Sequence, residues 1–276
     1  MHESILVYRR FRFLKWALLL MVVAVVAYAV DRPLGVPNGG TWLGYTLGTI
    51  GALLIVWLTW FGVRKRRYNL GPTKLEAWLS AHVYLGLALI IVATLHTGFQ
   101  FGWNVHTLAY ALMMLVILSG IFGVYAYMRY PTLMTENRRG QTLNEMLAQI
   151  AEIDAECREA ALGLGDEISG AVLNAAQNTR IGGGMRRQLS GHDPSCATTA
   201  ARQTVQALAE SAEAGQAEST RRLISLLLRK EELLRRARRD VQFKALMDIW
   251  LYIHVPLTIA LIASLAAHIF SVFFYW

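Results

Sequence analysis

Residues 79–100, LSAHVYLGLALIIVATLHTGFQ, and residues 247–274, MDIWLYIHVPLTIALIASLAAHIFSVFF, decide how this chain is read. Each is an apolar stretch that satisfies the ~20 residues a bilayer-crossing helix needs. Each also holds two histidines with thirteen residues between them: His82 and His96 in the first, His254 and His268 in the second. At ~1.5 Å rise and ~100° per residue, such a pair lies ~21 Å apart along the helix axis and within ~40° of one face. Both helices therefore present two imidazoles on one side, near opposite faces of a membrane. Imidazoles inside a span cost desolvation and mark function by default. Interhelical hydrogen bonding accounts for any single one of them, but it does not account for the same offset in both spans.

The composition agrees with a membrane setting. The 276 residues are 55% hydrophobic and only 17% charged, with a mean hydropathy of +0.36, which is too apolar for a soluble domain of this length. The net charge of +8 does not imply a nucleic-acid partner, because the basic residues flank apolar spans and no nucleic-acid-binding motif accompanies them. Two cysteines, Cys157 and Cys196, are too few for an iron–sulfur cluster held by four thiolates, and no CxxCH run provides for covalent haem.

Five spans can be drawn, roughly Phe13 to Val30, Thr41 to Val63, Leu79 to Gln100, Thr107 to Met128 and Met247 to Phe274. Arg9, Arg10, Arg12 and Lys15 precede or open the first. The cluster Arg64, Lys65, Arg66 and Arg67 follows the second, and Arg129, Arg138 and Arg139 follow the fourth. The connections Asp31 to Gly40 and Phe101 to His106 are poor in Lys and Arg, so the amino terminus is expected in the cytoplasm and the carboxyl terminus outside. The first span, with its basic start and Ala27-Tyr28-Ala29, has the look of a secretory signal. Because the chain starts at Met1, it is expected to remain as an anchor.

This divides the chain into an anchor helix with its external loop (1–40), three helices of a bundle (41–129), a hydrophilic insertion (130–246) and a closing helix (247–276). The insertion is long enough for a small cytoplasmic domain and reads as helical. Thr142 and Glu145 form a capping box before the apolar stripe Leu143, Met146, Leu147, Ile150 and Ile153. Asp166 is expected to cap a second helix around Ile168, Val172 and Leu173. The run from Ile181 through Gly182-Gly183-Gly184 to Pro194 reads as a loop and lacks the ending of a phosphate-binding P-loop. A third helix is expected from about Thr199, and a last from about Glu218 through Arg239 into the fifth span. The basic tract Arg221 to Arg239 is either a solvated helical hairpin or a surface for an acidic redox partner or anionic lipid.

The charge-derived topology sends the third and fifth spans in one direction. His82 and His254 then share the inner level, and His96 and His268 the outer. Two imidazoles from opposite helices at one level can hold a haem iron with no open coordination position, a site for electron transfer rather than oxygen activation. Small residues would let the flat macrocycle approach the backbone. Gly48 and Gly62, fourteen residues apart in the second span, are candidate haem contacts, and Ala109 and Gly123 repeat that offset in the fourth.

With His, thirteen residues and His in two spans, as in Ser80-Ala81-His82 to Leu95-His96 and Ile253-His254 to Ala267-His268, the chain resembles the di-haem four-helix membrane cytochromes b. That group includes the cytochrome b of quinol-oxidising complexes and the ferric-reductase-like transmembrane domains. The resemblance covers roughly the second to fifth spans. It implies an all-α membrane bundle with two stacked b haems, His82/His254 binding the inner and His96/His268 the outer, and with Gly48 and Gly62 in positions like those of haem-lining glycines. There is no Pro-Glu-Trp-Tyr motif, which argues against electron bifurcation. No nucleotide-binding domain follows the last span before Trp276, which argues against a self-contained NADPH-driven reductase. The expected activity is transmembrane electron transfer, as an electron-carrying subunit of a redox complex in a bacterial inner membrane. Its expected partners are quinone or quinol, membrane lipid and a separate redox protein. A metal or ferric reductase module fed by a separate flavoprotein is one alternative; a non-redox membrane anchor or sensor is another.

Other residues carry smaller expectations. His106, beside Trp103 and Asn104, is either an interfacial anchor or a ligand for a quinone headgroup or haem propionate. Arg64 to Arg67 are placed for inner propionates, although topology alone explains them. His192 and Cys196 have too few companions for a metal site. His2 is expected to be disordered. Pro256 either kinks the last span and aims His254 or is simply tolerated there.

Overall fold

The computed structural model describes residues 5–33, 35–66, 75–209 and 216–274, and the side chains of Lys65 and Arg66 are not among them. His2, Arg67 and Trp276 lie outside the described residues. All regular structure among those described is helical: α1 (Tyr8–Val30), α2 (Trp42–Arg66), α3 (Leu75–Thr97), α4 (Val105–Arg138), α5 (Leu143–Ala160), α6 (Asp166–Asn178), α7 (Met185–Ser190), α8 (Ala197–Ala209) and α9 (Ala217–Phe274). Five of these, α1 to α4 and α9, contain stretches long and apolar enough to cross a membrane. The chain divides into two compact units, one of residues 1–124 with 250–276 and one of residues 125–249.

In the first unit α2, α3, α4 and α9 enclose a shared apolar core of Ile55, Leu58, Leu89, Met113 and Leu261. Helix α1 lies outside this core and packs on α2 and α3 through Ala24, Leu43, Leu47, Val92 and Leu95. Helices α1 and α3 are in contact, and their buried positions are largely small, Ala17 and Ala24 on α1 and Ala77, Ser80, Ala81 and Ala88 among those on α3. Between membrane helices, where burial away from water supplies no drive, close backbone approach over small residues is the usual source of association. The opposite side of α1 leaves Leu18, Leu19, Val22, Val23, Val25 and Val26 about half exposed. So continuous an apolar surface is costly in water and suited to lipid.

The second unit is built as a soluble domain is. Met146, Ile150, Ile153 and Cys157 of α5, Ile168 and Val172 of α6, Val205 of α8, and Leu223, Leu226, Leu227, Leu233 and Leu234 of α9 form one core. Thr142 and Glu145 make the reciprocal capping box that opens α5. Lys230, fully buried, donates to Asp154 at 2.5 Å and to the Ala175 carbonyl at 3.0 Å. The charge is tolerable there because it is both paired and hydrogen-bonded.

Several local expectations are corrected. Gly165, not Asp166, is the residue before α6, and Asp166 supplies first-turn negative charge. The Ile181–Pro194 stretch is interrupted by α7. Leu147 and Leu173 lie on exposed sides of their helices rather than in the core. Helix α4 does not stop near Met128; it continues through Pro131 to Arg138, although a proline inside a helix removes one backbone hydrogen bond and crowds the carbonyl four residues before it. In the same way α9 continues through Pro256.

Candidate functional site

The two histidines of α3 are held by carbonyls of α2. His82 Nδ1 is 3.1 Å from the Leu58 carbonyl oxygen, and His96 Nδ1 is 2.8 Å from that of Gly44. Leu58 and Gly44 are fourteen residues apart, as are His82 and His96, with the order reversed because α2 and α3 are antiparallel. One contact is thus made twice, at two levels of the same helix pair. A carbonyl only accepts, so both Nδ1 atoms carry the proton, and in the neutral imidazole Nε2 is left with its lone pair.

Helix α4 does the same for α9. Ser119 Oγ donates to the Val116 carbonyl at 2.8 Å and lies 2.7 Å from His254 Nδ1. The hydroxyl has a single proton, so it accepts from His254 and fixes that ring's proton on Nδ1 as well. Thirteen residues earlier on α4, His106 Nδ1 meets His268 Nδ1 at 2.5 Å. All four imidazoles are therefore anchored through Nδ1, and none of their Nε2 atoms has a hydrogen-bond partner among the described residues.

At one level the rings meet directly. His96 and His268 have centroids 6.0 Å apart with planes at 89°, and His106 stands 4.6 Å from His268. His82 and His254 lie within electrostatic reach of each other at the second level. Phe61 packs 5.1 Å from His82, and Trp250 5.4 Å from His254. Among the described residues no group of three or more His, Cys, Asp or Glu side chains is arranged to hold a metal ion.

The glycines separate into two kinds. A Cβ on Gly48 would stand 2.6 Å from His96 Cε1, and one on Gly39 3.1 Å from the same atom, so both are spaces the imidazole occupies. Gly44 is closed in by the loop before it, with Asn38 O 2.3 Å from where its Cβ would be. A Cβ on Gly62, by contrast, would meet nothing within 4 Å. Gly123 accommodates Trp250, whose ring would be 2.1 Å from an added Cβ, while Trp250 Nε1 donates to the Ser119 carbonyl at 2.7 Å.

The remaining candidates are placed as follows. Arg64 lies over the Trp78 ring at 5.7 Å, and Trp78 stacks on Trp57 at 4.8 Å. Beside them is an open apolar groove of about 710 Å³ lined chiefly by Trp57, Trp60, Trp78, Leu53 and Leu54. Cys196 accepts a hydrogen bond from Arg238 Nη2 at 3.3 Å. Burial would raise its thiol pKa, but Arg238 and the amides of Thr199 and Thr198 outweigh this and lower it. Cys157, buried beside Asp154, is pushed up to about 11. The two cysteines are both free.

The spacing of the four histidines was legible in the sequence; their anchors were not. Gly44 and Leu58 act through backbone carbonyls, which every residue has, and Ser119 is one serine among many. Only His106 carried a side-chain signal. No protein-family model matches this chain, and no curated protein or solved structure matches it.

Proposed function

We propose that this chain is a di-haem b-type electron carrier of a membrane, the subunit through which a quinone-linked redox complex moves electrons from one face to the other. The observation that carries this reading is the common state of the four intramembrane imidazoles: each is tied down through Nδ1, and none uses Nε2. A bare imidazole nitrogen in an apolar bundle leaves a hydrogen-bonding demand that the anchor at Nδ1 does not meet. A metal-ligating histidine has this pattern, with one nitrogen held by an outer partner that fixes the tautomer and aims the other.

Two imidazoles suffice for a haem, because the macrocycle supplies the iron's other four nitrogens. The 6.0 Å between the His96 and His268 ring centroids brings imidazoles from two different helices close enough to serve one group. Ser264, buried on α9 four residues before His268, has a hydroxyl without a partner, the kind of polar atom a bound group satisfies. The residues fit the cofactor: His82 and His254 would hold one haem, His96 and His268 the other. Bound there, each haem supplies a reversible one-electron carrier.

The chain's own part is positional. Leu58, Gly44, Ser119 and His106 orient the ligands, and Gly39 and Gly48 leave room for the outer ring. Nothing in the ligand set leaves an open position for substrate, which favours electron transfer over catalysis at the iron. The apolar groove at Trp57, Trp60 and Trp78 adjoins the helix turn whose Leu58 carbonyl holds His82, and suits a lipid-phase donor such as a quinol. The basic residues that flank the spans favour an inner-membrane orientation with the amino terminus in the cytoplasm.

Anaerobic titration of the purified, haem-loaded protein with a quinol analogue tests the reading. Reduction of b-type absorption bands is the expected result. Reduction only by a flavoprotein donor would support the ferric or metal reductase alternative, and a protein that binds no haem would leave a membrane anchor or sensor.

A further inference from the structure

Within the unit of residues 125–249, the end of α4 and the middle of α9 enclose a second cavity, of about 260 Å³. Four guanidinium-bearing residues line it, Arg139 from the turn just after α4 and Arg235, Arg236 and Arg239 from α9, against two carboxylates, Glu136 and Glu232. Glu232 pairs with both Arg235 and Arg236 along its own helix. Arg139 and Arg239 have no carboxylate within ion-pair distance among the described residues, and both are exposed at the rim. The cavity therefore carries four guanidiniums against two carboxylates, a net positive charge that comes from α9.

Its walls are firm. Arg138 makes a two-pronged ion pair with Asp240, 2.7 Å at each contact, and Asn137 Nδ2 donates to the Arg236 carbonyl at 2.8 Å. Leu133 and Phe243 supply an apolar side, with Tyr130 stacked on Phe243 at 5.6 Å. Along the chain, Leu133 comes five residues after Met128 and Phe243 four residues before Met247, where the apolar stretches end. The apolar wall is thus the part of the cavity nearest in sequence to the spans, and the arginines are the part farthest from them.

We infer that this cavity binds the phosphate group of an anionic phospholipid. Planar guanidiniums match phosphate oxygens with paired hydrogen bonds. Basic pockets next to membrane helices are suited to lipid headgroups, and the Leu133–Phe243 wall provides for the start of an acyl chain. A soluble acidic segment would use the arginines but not this wall.

Native mass spectrometry of the full-length protein in detergent, titrated with phosphatidylglycerol or phosphatidylcholine, tests it. Preferential retention of phosphatidylglycerol is expected, reduced about tenfold or more in R139Q/R239Q, which removes the two guanidiniums that have no carboxylate partner. R139K/R239K, which keeps charge but not the fork, should fall between. R221Q/R222Q removes equal charge from exposed positions on the same helix and should leave retention unchanged, and circular dichroism should be the same for every variant. Equal loss in R139Q/R239Q and R221Q/R222Q, no preference between the two lipids, or occupancy of the site by inorganic phosphate or an acidic peptide with no lipid retained would overturn the inference.

Discussion

The two compact units treat their buried charges and imidazoles differently. In the unit of residues 125–249 the buried charges are paired internally, Lys230 by Asp154 and Asp240 by Arg138, although Gln141 Oε1 and Glu231 Oε1 are buried without partners. In the unit of α1 to α3 with most of α4 and the end of α9, the four histidines are half used. Four imidazoles spend Nδ1 and keep Nε2, and the Ser80 and Ser264 hydroxyls are buried without partners. Imidazole nitrogens left unpartnered in an apolar bundle, repeated at helical intervals, are what the proposed haems would complete.

The sharpest way to break that contrast is to remove the ligands one at a time. His96→Ala or His268→Ala should take haem content from about two per chain to about one and abolish the spectral component of that level, while His82→Ala or His254→Ala should abolish the other. A single replacement that leaves both components intact would undo the assignment of ligands.

Asp154→Ala probes the opposite unit. Stranding the Lys230 ammonium should destabilise the protein by about 3–5 kcal/mol, measured by denaturant unfolding, with the haem spectrum of the folded fraction unchanged. Lys230→Met, which removes the charge along with its need for a partner, should be milder. Equal penalties for the two would show that the pair is not a desolvated one.

Ser119→Ala withdraws the outer partner of His254 alone. Metal affinity at the His82–His254 level is expected to fall about 10–100-fold, with no change where His96 and His268 meet. A uniform decline at both levels would mean that Ser119 acts through the bundle rather than through the imidazole.

The two glycines once grouped by spacing should now part company. Gly48→Val drives a side chain into the His96 ring and should cost about 1–3 kcal/mol, with broadening of the outer component. Gly62→Val enters open space and should be silent in the same spectrum. If Gly62→Val proved the more damaging, the cavities at these positions would be misplaced.

These differences also mark what could be read from the chain beforehand. Spacing at ~3.6 residues per turn is a property of side-chain identity along one helix, so the common face of His82 and His96 was available without a structure. Who holds them was not, because Gly44 and Leu58 contribute atoms common to every residue. His106 had a visible signal, but its neighbour Trp103 pointed to the membrane interface, and only the approach of α4 to α9 links it to His268. Gly62 shared an offset with Gly48 yet lies on an exposed side of α2. Lys230 sat in a basic tract that reads as solvated, and only the convergence of α5, α6 and α9 shows it to be buried. Pro131 ordinarily argues for a helix end, yet α4 extends past it.

The most direct test is low-temperature electron paramagnetic resonance of the purified, oxidised protein, together with haem quantification. The account predicts about two b haems per chain, both low-spin with two imidazole ligands, because His82, His254, His96 and His268 each offer a free Nε2. A protein with no haem, or one whose iron is high-spin with a single imidazole, would contradict it.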